Sequence, residues 1–203
     1  MVNKGAYMTR LHRRDVSRVV RQFLQAEDIR MSPEVTNRAI DVCHAVWRRS
    51  DERWMIQSIH AYLKFAGDTP GAYRSHSKVI FTQTKDSTKL RVSDCVDHHL
   101  IPQAMHEWYL MYNTVVHDDP NDSGTILGKN PEFAVNLVGM SFRAIQPFFS
   151  GNRFLSWVMT NQLCVHLQLP IAVRLPTRTV YDEWKPLLLD AIETRIREKY
   201  RLR

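Results

Sequence analysis

Between two strongly apolar segments lies Gln146-Pro147-Phe148-Phe149-Ser150-Gly151-Asn152, a connection whose residue types suit anion binding. Pro147 stops a preceding helix, because the residue before a proline is pushed out of helical geometry. Phe148 can anchor the connection in a core, while Gly151 and Asn152 can take backbone angles that most residues avoid. A helix starting at Arg153 then turns unpaired N–H groups and the positive end of its dipole toward the turn. A phosphate placed there would meet those donors, and Arg153 adds a charge-assisted contact. The structural alternative for the same residues is an ordinary helix connection capped by Asn152.

Other reactive side chains form weaker patterns. His98, His99 and His106 would make a metal cluster only if two of them faced the same way as a third ligand, and no zinc signature accompanies them. Asp118, Asp119 and Asp122 lack the ligand spacing of a twelve-residue calcium loop. Cys43, Cys95 and Cys164 are widely spaced, which argues against a disulfide framework and against a zinc knuckle. No metal is assigned from the sequence.

The elements that must position the turn are mainly helical. Val16, Val19, Val20, Phe23 and Leu24 recur at helical spacing over Asp15 to Ala26. Ser32 caps a second helix with Pro33 in its first turn and Val35, Ala39, Val42, Cys43, Val46 and Trp47 as its buried stripe. A third helix follows Asp51 as cap, turns Met55, Ile56, Ile59, Tyr62, Leu63 and Ala66 inward, and stops at Gly67. After the breaker-rich Gly67-Asp68-Thr69-Pro70-Gly71, Lys78 to Thr82 and Thr88 to Val92 read as a small β-hairpin. One isolated hairpin is marginal, so it must lie on helices or grip something.

Ser93 or Asp94 caps the next helix, which carries Val96, Leu100, Ile101, Met105, Trp108, Tyr109 and Tyr112 toward a core. His117 to Asn130 reads as an exposed loop, and Pro131 to Ile145 as a helix. Phe154 to Leu169 is apolar nearly all round, as in a central helix, and Val180 to Lys199 repeats the amphipathic pattern through Tyr181, Trp184, Leu188, Ala191, Ile192 and Ile196.

The 203 residues suit one domain, and 44% hydrophobic with 24% charged residues is ordinary globular composition. No apolar run reaches bilayer length, and the start MVNKGAYMTRLHRR has no apolar core behind its charges. A cytoplasmic protein is expected, or one exported by a route not visible in the sequence. The net charge of +7 gathers at His12-Arg13-Arg14 with Arg18 and Arg21, and at Arg195, Arg197, Lys199, Arg201 and Arg203. Without a zinc finger, glycine loop or aromatic sheet motif, it reads as a solvated helix face before it reads as a nucleic-acid surface.

Ile145 to Ser156, IQPFFSGNRFLS, resembles the signature HPFxxGNGRxxR of the Fic family, whose domain transfers a nucleotide monophosphate or related phosphate group to a protein hydroxyl. Pro147, Phe148, Gly151, Asn152 and, after one deleted glycine, Arg153 fall in order. The helix running to Leu169-Pro170-Ile171 and Tyr181 fit the family downstream. Upstream, Pro70 to Arg74 with Val79-Ile80 resembles the approach to the family's flap hairpin, and Ile101 to Met105 with Trp108 the start of the next helix. The resemblance runs from Ile59 to Ala191 within a single domain over residues 1–203, and it implies a mainly α, Fic-like helical bundle with a small β-hairpin flap. The implied target-binding flap residues are Lys78, Val79, Ile80, Phe81 and Leu90; the implied phosphate or nucleotide contacts are Ser150, Gly151, Asn152, Arg153 and Ser156.

The departures concern chemistry. Gln146 stands where the family places its catalytic histidine, and an amide has no comparably basic site. Ser150 replaces the acidic residue that anchors the divalent ion, one loop glycine is missing, and Ser156 replaces the last motif arginine. The inhibitory Ser/Thr-x-x-x-Glu-Gly/Asn pattern has only a partial counterpart, Thr194 to Glu198, which is followed by Lys199. The pattern therefore favours a degenerate Fic-like protein acting through a protein partner at the flap. No cofactor is demanded, and a nucleotide held without strong Mg²⁺ dependence fits what is retained. The alternatives are a divergent AMPylation-like transferase without the usual histidine, and a basic nucleic-acid-binding helical module.

Overall fold

Apolar residues at spacings of three and four dominate this chain, and the computed structural model turns them into helices packed on one another. It describes residues 12–49, 55–65, 68–78, 80–83, 90–93, 95–119, 121–171, 176 and 178–201. Among these, α1 spans Arg13–Ala26, α2 Pro33–Arg48, α3 Ile56–Leu63, α4 Ile101–His117, α5 Ile126–Lys129, α6 Pro131–Ile145, α7 Asn152–His166 and α8 Arg178–Tyr200. Between α3 and α4, strands β1 (Ile80–Gln83) and β2 (Leu90–Ser93) pair antiparallel, with Ile80 opposite Ser93 and Gln83 opposite Leu90. No helix among the described residues is long and apolar enough to cross a membrane.

Local signals explain several boundaries. The Ser32 hydroxyl accepts from Val35 N–H at 3.3 Å and Pro33 opens α2, so two of the orphan groups at that end are dealt with. Asn130 caps α6 through Phe133 N–H at 3.0 Å, again with a proline in the first turn. Helix α6 stops before Pro147 as anticipated, and Gln146 closes it as a left-handed C-cap at φ 51°, ψ 57°.

The helix α7 is central. From Asn152 to Cys164 every described residue except Arg153 is buried. Trp157 stacks on Phe23 of α1, with centroids 4.1 Å apart, and meets Trp47 of α2 edge-on at 5.3 Å. Two buried indoles donate across helices: Trp47 Nε1 to Val158 O at 3.0 Å and Trp108 Nε1 to Val138 O at 2.9 Å. The α6–α7 crossing requires Gly139, because a Cβ there would lie 2.3 Å from Thr160 Oγ1. Beside it the buried Ser156 hydroxyl donates to Gly139 O at 2.8 Å.

Some expectations need correction. Helix α3 ends at Leu63, with Lys64 left-handed, instead of continuing to Gly67; Met55 and Tyr62 are about half exposed, not part of its buried stripe. The residues Asp51, Ala66 and Gly67 lie outside the described set. Helix α4 has Leu100 at its N-cap and no side-chain cap; Asp97 instead caps the preceding 3-10 turn His98–Leu100 by accepting His99 N–H at 2.9 Å, while Ser93 closes β2 and Asp94 lies outside the described residues. The loop from His117 to Asn130 contains α5, capped by Thr125 and anchored by the buried Leu127. On α8, Trp184 and Ala191 are exposed, and α7 stops at His166 instead of Leu169.

The basic clusters are partly neutralised inside the chain. Arg13 pairs with Asp41 at 2.8 Å and Arg18 with Asp15 at 3.4 Å. On α8, Arg195 and Lys199 converge on the buried Glu107 of α4, at 2.7 and 2.6 Å, and Tyr200 donates to it at 3.2 Å. Burial alone would raise the Glu107 carboxyl, but these two cations outweigh it and hold the group below its usual range.

Candidate functional site

The Gln146–Asn152 connection is built from both of its ends. Phe148 is fully buried and stacks face to face on His60, with centroids 4.0 Å apart and planes 5° from parallel. Asn152, buried at the opening of α7, clamps the same residue: its Oδ1 accepts Phe148 N–H at 3.0 Å and its Nδ2 donates to Phe148 O at 2.6 Å. Asn152 therefore closes the turn from within. The capping position belongs to Gly151, at φ 75°, and no side chain caps α7. That differs from a turn capped by Asn152, and among the described residues no side-chain cap satisfies the first N–H groups of α7.

Gln146 is held as firmly. Its Nε2 donates to Arg143 O at 2.8 Å, and its Oε1 accepts from Asn152 Nδ2 at 3.2 Å. The amide thus bridges the last turn of α6 to the first residue of α7, with both its donor and acceptor ends engaged.

Ser150 meets an internal anion. The Asp68 Oδ2 accepts from Ser150 N–H at 2.9 Å, from Ser150 Oγ at 2.5 Å and from His60 Nε2 at 3.1 Å. His60 in turn accepts Gly71 N–H at its Nδ1, 3.1 Å away, which assigns the ring proton to Nε2 and makes the ring neutral. Burial lowers the His60 pKa; Asp68 opposes that shift without cancelling it. The segment that the sequence marks only as a breaker-rich turn thereby supplies a carboxylate to the candidate loop.

Arg74 is the second contributor that sequence reasoning missed. Only 3% exposed, it donates through Nε to Gln146 O at 2.7 Å, through Nη1 to His76 O at 2.9 Å, and through Nη2 to Val96 O and, at 3.4 Å, Ile145 O. Its own N–H reaches Pro147 O at 2.9 Å. Burial lowers its pKa, with Cys95 and Asp97 acting in the opposite sense. One guanidinium therefore ties the C-terminal carbonyls of α6, where its charge complements the dipole, to the segments flanking the two strands.

The remaining predicted residues divide. Arg153 pairs with Glu27 and is half exposed, so its guanidinium is directed toward the end of α1. Ser156 is fully buried in the α6–α7 crossing, one full turn beyond Asn152, and its hydroxyl is committed to Gly139 O. The Lys78 Nζ donates to Phe149 O, joining the strand side to the turn. Ile80, Phe81 and Leu90 lie in the paired strands, and Val79 lies outside the described residues. Tyr181 packs under Arg143, whose guanidinium carbon sits 3.8 Å from the ring centroid; burial pushes the phenol up to about 12.

Besides His60, His76 lies against the turn, its ring centroid 6.3 Å from that of Phe149. His106 and His117 are exposed on α4, while His166 contacts Val116 O at 2.9 Å. Asp119 and Asp122 accept N–H groups two residues ahead, from Asn121 and Gly124, and so shape their own turns. Thr194 and Glu198 are both exposed on α8. Two clefts of about 300 and 260 Å³ open between α4, α6 and α8, sharing Glu107, Met111, Leu137 and Arg195, and neither includes residues 146–153.

The architecture matches a solved structure, a Fic domain containing signaling protein from Bacteroides thetaiotaomicron VPI-5482, with a TM-score of 0.54 and 17% sequence identity. The match covers 85% of this chain and 63% of that one. No protein-family model matches the sequence, and no curated protein does. The fold is Fic-like.

Proposed function

We propose that this chain is a Fic-like binding protein that recognises a protein partner at its hairpin and retains a weak anion seat at the opening of α7, without transferase activity. The observation that carries this reading is the closed amide of Gln146, bridged between Arg143 O and Asn152. A general base must hold a titratable lone pair toward the reacting hydroxyl, and an amide oxygen already accepting a hydrogen bond supplies none. The uncapped N-terminus of α7 keeps the electrostatic half of a phosphate site. Ser150 brings no carboxylate of its own, and the Asp68 oxygen that reaches the turn is already occupied by the Ser150 N–H, the Ser150 hydroxyl and His60, which weakens it as an anchor for a divalent ion. A nucleotide, if bound, is held without strong Mg²⁺ dependence.

The protein-binding half rests on the two-stranded sheet, in which each described strand pairs on one side only. Such edges accept an added strand from an extended peptide, and Lys78, Val79, Ile80, Phe81 and Leu90 are the residues assigned to that contact.

Calorimetry with nucleoside triphosphates and phosphodiester donors, with and without Mg²⁺, tests the seat. Saturable binding that Mg²⁺ leaves unchanged is expected. Incubating the protein and a cell lysate with labelled donors tests the chemistry. Label transfer to protein that Arg153→Ala abolishes, with the melting curve unchanged, would overturn the binding-only reading in favour of a divergent transferase.

A further inference from the structure

The junction between the hairpin and α4 holds a second constellation, independent of the Gly151 turn. Asp97, His98 and His99 each place one ligand atom so that all three lie within 4.8 Å of one another, and no other group of three or more His, Cys, Asp or Glu residues does so among the described residues. The sequence marks His98 and His99 as able to bind only if a third ligand faces them; His106, the third histidine nearby, is exposed on α4 and does not join them. The third group facing the two rings is Asp97.

Local geometry makes the trio coherent. Asp97 caps the 3-10 turn His98–Leu100 by accepting His99 N–H at 2.9 Å through Oδ1. Its other oxygen is not needed for the cap. The His98 Nδ1 lies 3.3 Å from Asp97 Oδ1 and 3.4 Å from Ser77 Oγ. The two imidazole centroids are 3.8 Å apart. Two imidazoles and a carboxylate facing one another form a donor set that attracts one dication. Small side-chain rotations would bring the three donors to the bond lengths of about 2.0–2.2 Å that such ions require.

We propose that Asp97, His98 and His99 form a binding site for one borderline divalent transition-metal ion, of the Zn²⁺, Ni²⁺ or Cu²⁺ class. Two imidazoles with a single carboxylate suit these ions and are a poor set for Mg²⁺ or Ca²⁺, which take mostly oxygen ligands. The affinity order follows the Irving–Williams series, with Cu²⁺ bound most tightly. Because β2 ends at Ser93 and α4 begins at Ile101, the ion would brace the connection that sets the hairpin on the bundle.

Untagged full-length protein titrated with Cu²⁺, Ni²⁺ and Zn²⁺ by calorimetry, with electron paramagnetic resonance of the Cu²⁺ form, tests the site. The expected results are one tight ion per chain, hyperfine coupling from two nitrogens, and a loss of about tenfold or more in His98→Ala and in His99→Ala. The Asp97→Asn variant, which can still cap the turn, should also bind more weakly with an unchanged far-ultraviolet spectrum, and His106→Ala should bind as the parent does. An absence of saturable binding, or a loss under about threefold in both histidine variants, would overturn the proposal. If either alanine variant fails to fold, His98→Gln and His99→Gln are read by the same criterion.

Discussion

Asp68 and Ser150 are 82 residues apart in sequence, yet one carboxylate oxygen of Asp68 accepts both the Ser150 N–H, at 2.9 Å, and the Ser150 hydroxyl, at 2.5 Å. The connection between α6 and α7 is therefore electrostatically anchored before any external ligand arrives. An anion binding beside Gly151 works against a fixed negative charge.

The first consequence concerns charge at position 150. Ser150→Asp would set a second carboxylate within hydrogen-bond distance of Asp68, and two close carboxylates cannot both ionise without cost. At pH 7 it should destabilise the fold by about 1–3 kcal/mol more than Ser150→Ala. The difference should shrink in an Asp68→Asn background. Urea denaturation of the variants checks this, and equal stabilities at pH 7 would rule out direct charge contact.

Gly151 is held at φ 75°, where an added Cβ would lie 2.1 Å from Phe65 Cε2. Gly151→Ala should therefore cost about 1–2 kcal/mol in backbone conformation and more through the clash. Pairing it with Phe65→Ala should relieve the steric part and leave the conformational part. A double-mutant cycle by thermal melting separates the two.

Loss of Arg74 should be among the most damaging single changes. Arg74→Met strips the buried carbonyls of Ile145, Gln146 and Val96 of their charged donor, and the expected cost is about 3 kcal/mol or more. Arg74→Lys should recover only part of it, because an ammonium cannot fork toward carbonyls on three segments. Chemical denaturation of both variants, compared with His106→Ala as an exposed control, provides the measurement.

His60 gives the fold an acid-sensitive component. Its pKa in the folded chain is lowered from the ordinary 6.5, chiefly by burial, so the folded state resists protonation. Its contribution is complete above about pH 6.5 and is lost as the pH falls toward and through the folded value. Glu107, also lowered, adds a loss at still lower pH, beneath the usual carboxylate range. Melting temperature should thus decline on acidification below about pH 6.5. His60→Gln should be less stable at pH 8 but show a shallower decline between pH 6.5 and 5; an unchanged slope would remove His60 from the account.

Much of the scaffold was legible from local rules. Asn130-Pro131 and Pro147 bound α6 at the residues expected, and Ser32-Pro33 start α2, because capping groups and prolines act on backbone atoms a few residues away. The all-round apolar pattern of α7 correctly announced a central helix. Periodicity was less informative at Tyr62 and Trp184, which share the apolar stripe of their helices but end up exposed. A stripe shows which face can be buried; whether another element reaches far enough to cover it depends on the packing.

The candidate turn divides along the same line. Residue types alone determined that Gln146-Pro147 ends a helix, that Gly151 takes the left-handed angle, and that no imidazole stands at position 146. Tertiary structure alone decided that Asn152 clamps Phe148 instead of capping α7, that Arg153 turns to Glu27, and that His60, Asp68 and Arg74 complete the site. Local conformational preference is set within a few residues of chain, whereas a hydrogen-bond partner 70 or 80 residues away is chosen by which faces the folded bundle brings together.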